Sequence, residues 1–241
     1  MPARPTVVLV HGAANSSGVW RYWRERLEAA GYPTRAPDLR GHGRAPCADL
    51  GRVSMGDYVA DVTAAVAGLA VPPILVGWSM GGLVALMYGA VATTLGVLTL
   101  GPSTPGPLLE DPAWDPPAPG VFGPEAYGIV DPASLEQPTM PDLEPEEVRV
   151  ALGSLGPESA YARQERRCGV WFHPRGFHGA VAVAAGERDE LLPPRHCRRV
   201  ARFLNADYLE LPGASHWGLV LNRRALGAAW PEIAAWLDRL R

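Results

Sequence analysis

Residues 74–82 read I-L-V-G-W-S-M-G-G. The run Ile74–Trp78 has the length and apolar content of a buried strand, and Met80–Val91 continues as an apolar helix. Ser79 therefore stands at a strand-to-helix turn between Gly77 and Gly81, which have no side chains to clash where strand and helix pack closely. A sharp turn of this kind strains the serine backbone and exposes its hydroxyl at the sheet's edge. The free N–H groups of the helix start lie beneath it and favour negative charge. The pattern G-x-S-x-G is short enough to arise by chance; the strand before it and the helix after it give it meaning.

The same alternation extends in both directions. Thr6–Val10 reads as a buried strand, Leu95–Leu100, Ala180–Ala185 and Asp207–Leu211 as strands, and Tyr32–Ala36 as a weaker one. Trp20–Ala30, Pro194–Leu204 and residues 225–240 read as helices. Ser54 caps another helix with Asp57 three residues on, and Met55, Tyr58, Val59, Val62, Val66 and Leu69 follow at helical spacing. Strands this continuously apolar are covered on both faces. The expected fold class is α/β, a mostly parallel, doubly wound sheet of about six strands. Ligands of such sheets bind beyond the carboxyl ends of the strands.

Residues 102–179 break the rhythm. Residues 101–145 hold 12 of the chain's 25 prolines, so long regular helices cannot form there. Glu146–Ser154 and Glu158–Arg167 are more helical. Trp114, Phe122, Tyr127, Ile129, Trp171 and Phe172 supply apolar material to pack. The segment reads as a lid inserted into a core of residues 1–101 and 180–241.

Composition narrows the function. The 241 residues carry a net charge of −3, so no strong basic field is available for nucleic acid. All 22 basic residues are Arg, which removes any mechanism through a lysine amine. The three cysteines at 47, 168 and 197 form no C-x-x-C pair, against a disulfide framework or a zinc site and in keeping with a reducing compartment. No apolar run approaches the ~20 residues of a membrane span, and no signal peptide is evident. The expectation is a soluble cytoplasmic protein without a membrane partner. No phosphate loop or dinucleotide fingerprint appears, and His173 and His178 lack further ligands at metal spacing. Neither cofactor nor metal is expected.

A serine nucleophile needs a base. Of the six histidines, His216 lies in L-P-G-A-S-H-W at 211–217, the loop after the last strand. His11 and His42 sit in turns, His173 and His178 at the exit of the insertion, and His196 at a helix start. The base needs an orienting carboxylate, and Asp189 lies just past the strand Ala180–Ala185; Glu187 and Glu190 are its alternatives. A developing oxyanion needs donors. The Met80 N–H is one. The loop His11–Asn15 supplies the other, from Ala13 first and Ala14 second. Trp78, Ala14 and Trp217 adjoin these groups and are the expected substrate contacts.

The motifs V-L-V-H-G at 8–12, P-D-L-R-G-H-G at 37–43, V-G-W-S-M-G-G at 76–82, G-E-R-D-x-x-x-P at 186–193 and P-G-A-S-H-W at 212–217 together resemble the α/β-hydrolase-fold serine hydrolases. The resemblance covers residues 5–101 and 180–241. The G-W-S-M-G-G stretch is similar to that of small-molecule carboxylesterases with a lid. It implies a catalytic triad in the chain order Ser79, Asp189, His216. The expected reaction is hydrolysis of an ester or thioester through an acyl-enzyme, and the apolar lid with the Pro-rich, Arg-only composition points to a small to medium hydrophobic acyl substrate.

With five residues before the strand at Thr6, the expectation departs from the family's usual leading hairpin, and the sheet edge this would expose is expected to be blunted or covered in a homodimer. Relatives with a carboxylate in place of Ser79, or with a lid lysine, do not match. Carbon–carbon bond hydrolases, cofactor-free lyases or cyclases and a non-catalytic ligand-binding module remain alternatives. In the first of these an insertion arginine (Arg149, Arg163, Arg166, Arg167 or Arg175) would hold a substrate carboxylate; otherwise these arginines form a solvated helix face.

Overall fold

A computed structural model describes residues 4–240. Its strands are, in chain order, β1 (Val7–Val10), β2 (Thr34–Arg35), β3 (Ile74–Trp78), β4 (Gly96–Leu100), β5 (Val121–Phe122), β6 (Glu158–Ser159), β7 (Ala180–Gly186) and β8 (Asp207–Leu211). Six of them form one sheet in the order β2-β1-β3-β4-β7-β8, with every neighbouring pair parallel. The helices are α1 (Arg21–Ala29), α2 (Met55–Val66), α3 (Met80–Gly89), α4 (Pro145–Gly153), α5 (Ala160–Cys168), α6 (Pro194–Leu204), α7 (Gly218–Leu221) and α8 (Arg223–Asp238).

Strand side chains alternate between two cores. Val7 and Leu9 of β1 and Ile74, Val76 and Trp78 of β3 pack with Trp23 and Leu27 of α1, Leu219 of α7 and Ile233 and Trp236 of α8. Val8, Val10 and Leu75 face the other way, against Tyr58 and Val62 of α2, Leu83 and Leu86 of α3 and Val200 of α6. That two-sided burial is why the strands read as unbroken apolar runs. The Ser54–Asp57 capping box starts α2 as expected. Among the described residues no helix is long and apolar enough to cross a membrane.

The order of the strands places the site. From β1 the chain steps outward to β2; from β3 it steps the opposite way through β4, β7 and β8. The crevice at this reversal lies beyond the carboxyl ends of β1 and β3, where the loops carrying Ala13 and Ser79 emerge.

The 102–179 segment packs onto both cores. Ile129, Met140, Val148 and Ala151 join the first, and Ala162 and Phe172 the second. Trp114 and Trp171 do not serve as packing material: they are 89% and 72% exposed. The helical reading of Glu158–Arg167 also needs correction at its start. Glu158 and Ser159 pair antiparallel with Phe122 and Val121, and α5 begins only where the Ser159 hydroxyl accepts the Ala162 N–H. The short helix α7 was not expected from the sequence.

Candidate active site

Ser79 caps α3 with φ 55° and ψ −119°, a conformation that costs a non-glycine residue about 1–3 kcal/mol. The surrounding backbone imposes it. The Ser79 N–H donates to Leu100 O at 3.0 Å, and Ser79 O accepts from Gly82 and Ser103 N–H, both at 3.0 Å. A Cβ on Gly77 would collide with the Gly81 carbonyl, and one on Gly81 with the carbonyls of Val10 and His11. The two glycines thus let β3, α3 and β1 approach closely enough to force the turn.

Asp189 and His216 meet across 27 residues of sequence. Asp189 Oδ2 accepts from His216 Nδ1 at 2.7 Å. Asp189 Oδ1 accepts the Leu191 and Leu192 N–H groups at 3.0 and 2.8 Å. Both carboxylate oxygens are thus engaged, which leaves Nε2 as the outward nitrogen of the imidazole. Glu187 and Glu190 are exposed, and Glu187 instead accepts from the Gly213 N–H at 2.7 Å. Of the three acidic neighbours, Asp189 is the one that reaches the histidine.

The His216 loop is tied down from several sides. The Trp78 indole N–H donates to His216 O at 3.0 Å, and the two rings lie 5.3 Å apart. Asp142 accepts the Ser215 N–H at 3.0 Å. Gly101, at φ 49°, passes so close that a Cβ would lie 3.0 Å from Asp189 Oδ2 and 3.3 Å from His216 Nδ1. Neither Asp142 nor Gly101 is marked by a motif; their proximity comes from the strand order and the path of the insertion.

In the loop after β1, His11 acts as a backbone clamp. Its Nε2 accepts the Leu39 N–H at 3.0 Å, so Nδ1 donates to Gly12 O at 2.8 Å. Burial lowers its pKa to about 4, so the ring is neutral at pH 7. Ala14 sits at φ 54°. Its N–H donates to Glu158 Oε2 at 3.1 Å, so Ala14 is not free to serve as the second oxyanion donor. The N–H groups of Ala13 and Met80 have no protein acceptor among the described residues.

Glu158 is fully buried and was not singled out by any sequence pattern. Its Oε1 accepts from the Tyr58 hydroxyl at 2.5 Å and from the Ser159 N–H at 2.7 Å. His42 Nε2 lies 3.4 Å from Oε2. Burial alone would raise the carboxyl pKa, but His42, Arg166 and the Tyr58 hydroxyl bring it down to about 2. Burial works to lower the His42 pKa, and the Glu158 carboxylate outweighs it and raises the value. Arg166 donates to the Tyr127 hydroxyl at 3.1 Å and the Ser103 hydroxyl at 3.4 Å, so it is not part of a solvated helix face.

Ser79, His216, Asp189, Ala13, Ala14, Trp78 and Trp217 all line one cavity of about 1170 Å³. The insertion contributes Tyr127, Ile129, Thr139 and Leu155 to its lining. The structure thus gathers every sequence-derived site residue except Met80, whose side chain is buried in the core behind the turn.

Comparison with known proteins agrees with this geometry. Residues 7–229 match the alpha/beta hydrolase family. Over 93 residues the chain is 37% identical to the monoacylglycerol lipase of Mycolicibacterium smegmatis, covering 36% of this chain and 33% of that one. Over 84 residues it is 39% identical to the pimeloyl-[acyl-carrier protein] methyl ester esterase of Neisseria meningitidis, covering 35% and 25%. The matched stretch thus spans a third or less of these relatives' length. Polyneuridine aldehyde esterase superposes with a TM-score of 0.75 over 96% of this chain and 99% of its own, at 19% identity, which speaks to the fold alone. With the match running from β1 into α8 and the six-stranded sheet in place, the chain belongs to the alpha/beta hydrolase family.

Proposed function

We propose that the protein is a serine hydrolase of carboxylic esters, with Ser79, His216 and Asp189 as its triad. The observation that carries this reading is the 2.7 Å Asp189–His216 hydrogen bond in the same cavity as a serine held at positive φ. Ser79 Oγ attacks the ester carbonyl carbon while its proton passes to His216 Nε2. The Ala13 and Met80 N–H groups hold the oxyanion. Collapse of the intermediate expels the alcohol, which takes the proton from His216. Water then attacks the acyl-enzyme, again giving its proton to His216, and the acid leaves with Ser79 restored. Asp189 keeps Nδ1 protonated and the ring aimed.

The apolar wall formed by Tyr127, Ile129 and Leu155 favours a hydrophobic acyl group of small to medium size, and thioesters follow the same course. In this reading residues 102–179 are the lid. The similarity to a lipase and a methyl ester esterase supports the ester as the bond cleaved. The three unpaired cysteines fit the cytoplasm.

The test is intact mass after exposure to a fluorophosphonate probe, for wild type and Ser79→Ala. The expected result is one adduct on wild type and none on the variant, with turnover of chromogenic esters lost in step. A folded wild type that takes no adduct would overturn the reading in favour of a ligand-binding module.

A further inference from the structure

The oxyanion loop is gripped from outside by a short stretch of the insertion. The Gly156 N–H donates to Ala14 O at 3.0 Å, and the Ala14 N–H donates to Glu158 Oε2 at 3.1 Å. Both peptide groups of Ala14 are thus engaged by residues 156 and 158, more than 140 positions away. Ala14 is also in the left-handed region, which alanine avoids unless its surroundings hold it there. The acceptor is a charged carboxylate, the stronger kind of partner for an N–H.

The carboxylate is expensive to place here. It is wholly buried, and a negative charge beside a developing oxyanion opposes the reaction. The surroundings offset it. Tyr58 and the Ser159 N–H occupy one oxygen, and the buried His42 ring stands 3.4 Å from the other, where the carboxylate favours its protonated form. A group whose only task was to fill space would need none of this.

We infer that Glu158 is the positioning residue of the oxyanion hole. Its carboxylate draws the Ala14 N–H away from the cavity and fixes the loop, so that the Ala13 N–H is the donor that meets the transition state. This makes the placement of residues 102–179 a condition for turnover, independent of any substrate contact the insertion makes. The inference rests on the serine-hydrolase reading and deepens it.

The experiment uses the full chain as wild type, Glu158→Ala, Glu158→Gln and Tyr58→Phe. Four readouts are taken: kcat and KM on a 4-nitrophenyl ester, inhibition by an aryl trifluoromethyl ketone, fluorophosphonate adduct mass, and far-UV circular dichroism. The ketone's hemiketal oxyanion occupies the hole, so its affinity reports the donors directly. Glu158→Ala is expected to lower kcat about 100-fold, the scale of losing one oxyanion donor. Ketone affinity should fall by a similar factor, with KM nearly unchanged. Glu158→Gln keeps a neutral acceptor and should recover about tenfold of that loss. Tyr58→Phe should fall between wild type and Glu158→Gln.

A folded Glu158→Ala with wild-type kcat and ketone affinity overturns the inference. So does a glutamine variant no better than the alanine one. If Glu158→Ala does not fold, Glu158→Gln decides. A parallel drop in kcat and ketone affinity at constant KM supports the inference, and no change in either overturns it. A wild type that takes neither adduct nor ketone overturns the serine-hydrolase reading together with this one. A labelled wild type with unaffected Glu158 variants overturns this one alone.

Discussion

Trp78 and His216 are joined twice: the indole N–H donates to the His216 carbonyl at 3.0 Å, and the rings face each other at 5.3 Å. The residue just before Ser79 therefore anchors the loop that carries His216, the proposed base. Trp78→Phe keeps a ring but leaves a buried carbonyl without its donor, at a cost of about 1–3 kcal/mol. The expected outcome is a lower urea midpoint and a kcat down about tenfold, since a small displacement of the base is felt in the rate. Wild-type turnover in this variant would show that the anchor is dispensable.

Asp189 is the carboxylate bonded to His216, whereas Glu187 and Glu190 are exposed at the cavity's rim, with Glu187 accepting from the Gly213 N–H. Asp189→Asn should lower kcat by about 10⁴-fold, because the amide no longer enforces the productive tautomer. Glu187→Gln and Glu190→Gln should leave kcat near wild type. Steady-state kinetics on one chromogenic ester compares all three; a larger loss at either glutamate would reassign the acid.

Gly101 carries no chemistry, yet it is poised against the Asp189–His216 pair. Gly101→Ala adds a Cβ about 3 Å from both partners at a positive φ. The pair must shift by a few tenths of an ångström, and kcat should fall about tenfold or more. Gly68→Ala is the control: φ is +75° there too, but nothing lies within 4 Å of the added atom. Loss of turnover at 101 and not at 68 separates displacement of the pair from backbone strain.

His11 sets an acid limit to stability. Its folded pKa of about 4 lies below the unfolded value of ~6.5, so the unfolded chain binds more protons between these pH values. Stability is full above pH ~6.5 and declines as pH falls towards 4, by roughly 3 kcal/mol for this group. His196 shifts in the same direction and adds to the decline. His42, raised, titrates above this window, and Glu158 below it. Urea unfolding of His11→Gln should show a flatter dependence between pH 6.5 and 4.5. An unchanged slope would place the acid sensitivity elsewhere.

Much of the architecture was legible because its causes are local. Strands covered on both faces must be apolar throughout, so β1, β3, β4 and β7 announced themselves. Ser54 and Asp57 form a capping box within four residues. Ser79 was legible because Gly77 and Gly81 are the only residue type that fits where carbonyls would meet a Cβ. The helical reading of Glu158–Arg167 failed at Glu158 and Ser159, whose strand pairing to Phe122 and Val121 has no local signature.

By itself the sequence determined the two-sided sheet, the strained serine turn and a short set of candidate acids and bases, since each depends on neighbours a few residues away. Only the tertiary structure decided among them. It put Asp189 rather than Glu187 or Glu190 on His216, and it gave the Ala14 N–H to Glu158, leaving Ala13. It also turned Arg166 inward onto Tyr127 and Ser103. These choices depend on where β4, β7 and residues 102–179 pass relative to one another. A hydrogen bond between groups 27 or 144 positions apart is specified by that path, not by any pattern along the chain.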